Sequence, residues 1–373
     1  MILVCPKRTY PLMILEGKKA HKKKAAIAAF FGALRAVVVP ILLLAVGCTP
    51  QEESFLFEGE AQATTFHIKV YGPASVTAED LQRWLADYNR VASPWDSNSL
   101  VSVLNKQAMV APDDAYLCEL LQLGRTLYLL TDGALDPSLA PVIEAWGFGV
   151  GSATLAADDT VGLSRLMLHV GDTCWFDLAR ACTGNSAMKV VLDHVAKACP
   201  AGKTQLNFMS FSQGHSVDIV CDSLRAHGAT AAFVEIGGEV RTFGKKLDGS
   251  SFKVGIEQPE QGKRADFAQT VTLNERALAT SGNYRNFKVD PVTGQHYGHT
   301  LDAKTGWPIQ TDVLSATMIG PKCALADGMA TAAMAMGLHK TQEWIAKHPG
   351  WDAVLIYGDR EKGLQIWSTL PSN

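Results

Sequence analysis

Beyond residue 57 the spacing of apolar positions separates strands from helices. Apolar and polar residues alternate through GEAQATTFHIKVYG (59–72), the period of a half-buried strand. From Thr77 the period lengthens to that of a helix, with Leu81, Trp84, Leu85 and Tyr88 at i, i+3, i+4 and i+7. Residues 114–130 repeat it through Leu117, Leu120, Leu121 and Leu127. A third helix runs from Val217 through Val220, Cys221 and Leu224 and closes at Gly228, a residue suited to a helix C-terminus. Strands are predicted at 231–236, 252–257, 269–273 and 313–319. A closing hairpin pairs 353–357 with 364–367 around Gly-Asp-Arg-Glu-Lys-Gly. Several strands follow one another without a helix between them, which implies a largely antiparallel sheet and an α+β class. No linker of disordered composition appears after residue 60, so 58–373 reads as one compact domain.

The first 47 residues obey a different pattern. Lys18, Lys19, Lys22, Lys23 and Lys24 precede an apolar run from Ala25 to Val46, broken only by Gly32 and Arg35, which ends in Ala-Val-Gly-Cys48. A basic region, an apolar region and small residues before a cleavage point are the parts of a secretory signal. Cys48 directly after the small residues resembles the lipobox of bacterial lipoproteins, which implies acylation of Cys48 and a tether over 48–57. The competing reading is a single transmembrane anchor, since the apolar run with its flanks approaches spanning length. Arg35 and the polar Thr49-Pro50-Gln51-Glu52 favour the lipid-anchored form, exported and facing away from the cytoplasm.

Charge and cysteine content narrow the partners. Residues 1–47 hold eight of the 34 Lys/Arg and one of the 37 Asp/Glu. The rest therefore carries 26 basic against 36 acidic residues, a formal charge of −10. Such a balance argues against nucleic acid. On the oxidising side of a membrane, Cys118, Cys174, Cys182, Cys199, Cys221 and Cys323 are free to pair, in a connectivity the sequence leaves open. No Cys-x-x-Cys signals zinc or a redox dithiol.

Four stretches carry candidate chemistry. DGALDPSLAPVIEAWGFG (132–149) sets Asp136 before a proline and ends in a Trp-Gly-Phe-Gly cluster. VEIGGEVRTFG (234–244) places two glycines after a strand, where backbone can approach a ligand closely. ATSGNYRNF (279–287) offers hydroxyls, a Gly-Asn turn and Arg285. HYGHTLDAKTGWP (296–308) sets His299 three residues before Asp302 and leads to CALADGMATAAMAMG (323–337). There Asp327 and Thr331 lie four apart, on one face of a predicted helix over 324–336. A carboxylate and a hydroxyl beside a diphosphate suit Mg²⁺. On spacing alone such a pair is ordinarily a solvated face, and a lone histidine is ordinarily a hydrogen-bonded residue rather than a base.

A further oddity is an echo. FDLARACTGNSAMKVVLDHV and LNFMSFSQGHSVDIVCDSL each place a glycine seven residues after an Asp or Asn, then a serine, then an apolar helical face. The echo is either chance or an inserted partial copy over about 174–195. The second copy, which runs directly into the strand at 231, is taken as the working one.

Taken together, these stretches resemble the ApbE family of FAD:protein FMN transferases. Thr64-Thr65-Phe66, SPWDSNSLVSVLN, GALDPSLAPVIEAWGFG, SFSQGHSVDIV, VEIGGEVRTFG, ATSGNYRNF, HTLDAKTGWP and CALADGMAT follow the family's order from about residue 58 to 368. The resemblance implies an ApbE-like fold and an enzyme that uses FAD as substrate. It implies flavin contacts at Trp95, Ala134, Leu135, Asp136 and Leu301, with further contacts near Met209 and His215. It implies Mg²⁺ held by the side chains of Asp327 and Thr331 and the backbone carbonyl of Ser212, and an essential histidine at His299. The implied reaction moves FMN from FAD to a Thr or Ser hydroxyl of an acceptor protein and releases AMP. The implied acceptors are flavin-bearing subunits of membrane redox pumps, such as the sodium-translocating NADH:quinone reductase and the Rnf complex. Three positions depart from the family: Gln62-Ala63 replaces Met-Gly, Asn207-Phe208 replaces Asp-Leu, and Ala330 stands where some members carry an acid. Asp302 is left as either the orienting partner of His299 or a turn former. A Mg²⁺-dependent FAD pyrophosphatase and a non-catalytic flavin-binding lipoprotein remain the rival readings.

Overall fold

The computed structural model describes residues 54–107, 114–151, 153–156, 158–171, 175–182, 204–258, 267–283, 287–289, 296–359 and 361–371. The signal segment, Cys48, Arg285 and most of the 174–195 segment lie outside these residues. β1 (Ser54–Ala61) and β2 (Thr64–Tyr71) pair as an antiparallel hairpin. β1 starts four residues before the domain start read at 58, and the single strand read over 59–72 is parts of two. The turn explains the second. Gln62 and Ala63 both sit in the left-handed region, with φ of 53° and 60°. Such two-residue turns are usually advertised by Asn-Gly, and Gln-Ala carries no such signal.

Six more strands complete the main sheet: β3 (Ala231–Ile236), β4 (Glu239–Phe243), β7 (Ala277–Gly282), β10 (Val313–Gly320), β11 (Asp352–Asp359) and β12 (Gly363–Ser368). Their order is β1-β2-β3-β4-β7-β10-β11-β12, and every neighbouring pair is antiparallel. Two short hairpins lie outside it: β5 (Phe252–Glu257) with β6 (Phe267–Leu273), and β8 (Phe287–Val289) with β9 (His296–Gly298). The α+β reading holds. β4 and β7 were not legible, because β4 is buried at four of five positions and lacks alternation, while ALATSG in β7 lacks bulky β-formers.

The helices are α1 (Ala78–Ala92), α2 (Leu100–Gln107), α3 (Ala115–Leu130), α4 (Ala140–Ala145), α5 (Thr160–Met167), α6 (Phe176–Ala181), α7 (Met209–Ala226) and α8 (Cys323–Lys347). α1 starts at a capping box: Thr77 Oγ1 accepts from the Asp80 amide, and the Asp80 carboxylate accepts from the Thr77 amide. Its stripe of Leu81 and Leu85 meets Val217, Val220 and Leu224 of α7 against Phe66, Ile68 and Val70 of β2. Each such fully buried side chain contributes on the order of 2 kcal/mol. Leu117, Leu120 and Leu121 of α3 pack with Met329 and Met334 of α8 in a second cluster. The β5–β6 hairpin packs Ile256, Val271 and Leu273 against Val240, Leu278, Ile319 and Val354 of the sheet. Gly337, at φ 76°, interrupts α8 one residue past the predicted 324–336 helix.

The two echoing copies separate. α6 holds the start of the first, whose residues 183–195 lie outside the described ones, and beside a fully buried Trp175 it leads to Cys182, which forms a disulfide with Cys118 of α3. The second copy opens α7 and feeds β3. Cys221 and Cys323 are buried free thiols.

Candidate active site

The site is organised where α7 meets α8. Gly214 lets the two helices touch: a Cβ there would lie 2.5 Å from the Cys323 carbonyl oxygen and 2.8 Å from the Asp327 Cβ. At that contact the Gly214 amide donates to Asp327 Oδ2 at 2.9 Å. Asp218, one turn along α7, accepts from the amides of Cys323 and Ala324, both at 3.0 Å, and so caps α8 in place of its own N-terminal residue. Arg241 of β4 holds Asp218 at 2.9 Å. The start of α8 is thus fixed by α7 and β4 together, and Asp327 and Thr331 project from its first turns into a cleft of about 1240 Å³.

The cleft's other walls come from the motifs singled out above. Thr64, Thr65, the Gly237-Gly238 turn, Ser281 and His299 all line it. Thr331 Oγ1 lies 3.1 Å from Ser281 Oγ, tying α8 to β7. Asp327 is 7% exposed, and burial without a cationic partner pushes its carboxyl up to about 8.

His299 is held by its neighbours. Thr300 donates to Asn283 Oδ1 at 2.9 Å, and Leu301 bridges to Pro308. Asp302 uses Oδ1 to accept from the amides of Lys304 (2.7 Å) and Thr305 (3.3 Å), so it builds the turn. The turn is tied to the Trp-Gly-Phe-Gly cluster, because Trp146 Nε1 donates to the Gly306 carbonyl at 2.9 Å. Phe148 then meets the His299 ring edge to face, with centroids 6.4 Å apart. Glu144 folds that cluster around itself by accepting from the amides of Val150 and Gly151 at 2.9 and 2.7 Å.

Of the expected flavin contacts, Trp95, Ala134, Leu135, Asp136, Met209 and Leu301 line the same cleft as Asp327, Thr331 and His299. Trp95 is 60% exposed, a large aromatic surface left open at the cleft. Asp136 instead is buried, accepting from the amide and hydroxyl of Ser138 at 2.8 and 2.6 Å, and its carboxyl is pushed up by burial. Two expected residues are not brought to the cleft wall. His215 packs edge to face on Tyr88, and its Nε2 meets Glu119 at 2.9 Å. The Ser212 carbonyl takes the Tyr88 hydroxyl at 2.8 Å. Both placements have one cause: Gly214 faces α8, so its helix neighbours at 212 and 215 turn toward α1 and α3.

Sequence reasoning missed Gln213, Glu235 and Glu239. Gln213 lines the cleft beside Gly237, where a Cβ would overlap its amide. Glu235 accepts from the Gly238 amide at 2.7 Å and meets His67 at 2.6 Å. Glu239 is 7% exposed, and its Oε2 has no hydrogen-bond partner. An acid on a strand between glycines and valine was its one visible signal.

A model of the ApbE family matches residues 63–355, most of the chain. This chain belongs to the ApbE family. Among curated relatives, the FAD:protein FMN transferase of Haemophilus influenzae is 29% identical over 322 residues, covering 84% of this chain and 89% of the relative. That of Vibrio cholerae is 31% identical over 309 residues, covering 81% and 87%. The solved flavin transferase ApbE from Vibrio cholerae superposes with a TM-score of 0.68 at 25% identity, over 85% of this chain and 97% of its own. The apo flavinyl transferase ApbE of Pseudomonas stutzeri gives 0.66 at 28% identity, over 85% and 95%. The expected ApbE-like fold is therefore the fold observed, and the cleft described above is this ApbE member's candidate active site.

Proposed function

We infer that this chain transfers the FMN portion of FAD to an acceptor protein, as its FAD:protein FMN transferase relatives are named for doing. The observation that carries the reading is the shared cleft: His299, Asp327 and Thr331 line one cavity, large enough for a dinucleotide, in a chain of this family.

The proposed chemistry is phosphoryl transfer to a Thr or Ser hydroxyl. The acceptor oxygen attacks the FMN-side phosphorus, the bond from that phosphorus to the bridging oxygen breaks, and AMP leaves with that oxygen. His299 takes the hydroxyl proton, since imidazole titrates nearest neutral pH. Catalysis of this kind depends mainly on positioning and charge neutralisation. The wall of Ala134, Leu135, Leu301 and Trp95 would position the flavin half, and Ser281 and Asn283 fix Thr331 and the His299 loop.

The residues present fit Mg²⁺. Asp327 is a buried acid that accepts the Gly214 amide, beside the Thr331 hydroxyl, and both are hard oxygen donors. Among the described residues no three of His, Cys, Asp or Glu converge on one point, so substrate oxygens and water would complete the shell. Ser212 would join only through its carbonyl's second lone pair. When bound, Mg²⁺ would offset the diphosphate's negative charge.

We further propose that residues 1–47 direct export and that Cys48 carries the lipid, which would present the enzyme to the outward-facing domains of membrane redox pumps. Incubation with FAD, Mg²⁺ and such an acceptor domain should give a fluorescent acceptor band on a denaturing gel. Free FMN and AMP without that band would make the chain a pyrophosphatase, and intact FAD would make it a binder.

A further inference from the structure

Ile236 of β3 pairs with Glu239 of β4, which leaves Gly237 and Gly238 as a two-residue hairpin loop, with positive φ of 64° and 104°. Both glycines line the cleft, so bare backbone forms that stretch of its wall. Two glycines have no side chains to fix the loop, and its place depends on where its amides bond. The Gly237 amide donates to the Thr65 carbonyl of β2 at 2.9 Å. The Gly238 amide donates to Glu235 Oε1 at 2.7 Å. One anchor is therefore backbone, and the other is a side chain.

Glu235 is itself held from outside the cleft. Across the β2–β3 pair it stands directly opposite His67, and such partners share a face of the sheet. Carboxylate oxygens accept, so His67 Nδ1 donates to Glu235 Oε2 at 2.6 Å. The Glu235 side chain is 18% exposed, which shields both of its bonds from water. Glu235 lines the cleft with the two glycines, whereas His67 lines a neighbouring hollow instead. Glu58, opposite His67 on β1, approaches the ring only to 3.9 Å and is exposed, so it adds little. A single chain of contacts thus runs from His67 through Glu235 to the Gly238 amide.

We propose that Glu235 is a positioning residue for FAD, holding the Gly237-Gly238 wall in the shape the substrate binds against, and that His67 acts through it. The inference rests on the reading of this cleft as the FAD site.

Flavin-fluorescence titration with FAD tests both. Glu235→Ala frees the Gly238 amide and should weaken FAD binding about tenfold, the worth of one charge-assisted hydrogen bond. Glu235→Gln keeps an acceptor for that amide, and His67 can switch tautomer to meet its NH₂ group, so most of the affinity should return. His67→Ala, which touches no cleft residue but Glu235, should weaken binding about threefold in the parent and not at all in Glu235→Ala. A structural loss unrelated to Glu235 would instead add in the double variant. A parent that binds no FAD sinks the reading of the cleft itself. With a parent that binds, parent-like affinity in Glu235→Ala, or no recovery in Glu235→Gln, overturns the role of Glu235. A His67→Ala penalty that is absent, or that persists beside Glu235→Ala, overturns the role of His67. Failure of Glu235→Ala to fold also overturns the proposal, because a residue that holds one surface turn is dispensable to the core.

Discussion

The Gly214 amide donates to Asp327 Oδ2 at 2.9 Å, and this bond sets the distance between the two central helices. A methyl at 214 would collide with the Cys323 carbonyl and the Asp327 Cβ. Gly214→Ala is therefore expected to destabilise the fold by about 1–3 kcal/mol, the usual range for overpacking. Urea unfolding measures that loss. Mn²⁺ binding should fall with it, since Asp327 must move.

Glu144 is the pin of the Trp146–Gly149 wall. Glu144→Gln keeps the shape but leaves one of the two loop amides facing an NH₂ group, a local cost of about 1–3 kcal/mol. Flavin-fluorescence titration should show FAD binding weakened several-fold, with a melting temperature near the parent's, because the loop opens locally. Unchanged affinity would separate this wall from the flavin site.

The hairpin before the cleft carries strain that sequence predicts can be relieved. Ala63 holds φ 60°, a conformation that disfavours any L residue with a Cβ by about 1–2 kcal/mol. Glycine removes that cost and adds about 0.4–1 kcal/mol of unfolded-state entropy. Ala63→Gly should thus stabilise by roughly 0.5 kcal/mol on balance, read as a small rise in the urea midpoint. A clear fall would show that the turn geometry is not the one described.

Much of the fold was legible because the periods of α1, α3 and α7 reflect real buried stripes, and β3, β5, β10 and the closing hairpin alternate or run apolar between turn residues. What failed had no periodic signal. The Gln62-Ala63 turn hides a hairpin because its left-handed residues are not glycine or asparagine, and β7 is made of small residues that fit under α8. In the site, motif order located the cleft residues on Ala134 to Asp136, His299, Leu301, Asp327 and Thr331. That His215 turns to Glu119, off the cleft wall, was not legible, since a helix period cannot say which face meets α3 and which meets α8. Glu239 escaped because its burial, which leaves Oε2 without a partner, appears only once β4 is packed.

The acid side of the stability profile follows from the α1 cap. The Thr77 amide, then Arg83 and the Thr77 hydroxyl, lower the Asp80 carboxyl from 3.8 to about 2 in the folded chain. A depressed folded-state value means that its stabilisation is complete above about pH 4 and is lost as pH falls toward 2. The gap in urea midpoint between parent and Asp80→Ala should therefore be full at pH 5 and shrink steadily below pH 4. A gap that does not change with pH would remove the ionic part of the cap.

The central claim is that the phosphorus leaving AMP ends on a protein hydroxyl rather than on water. The most direct measurement counts both products of one incubation with FAD, Mg²⁺ and an acceptor domain: AMP by chromatography and covalently bound flavin by intact mass of the acceptor. Equal amounts, falling together in His299→Ala, are the predicted result. AMP released with free FMN and an unmodified acceptor would contradict it.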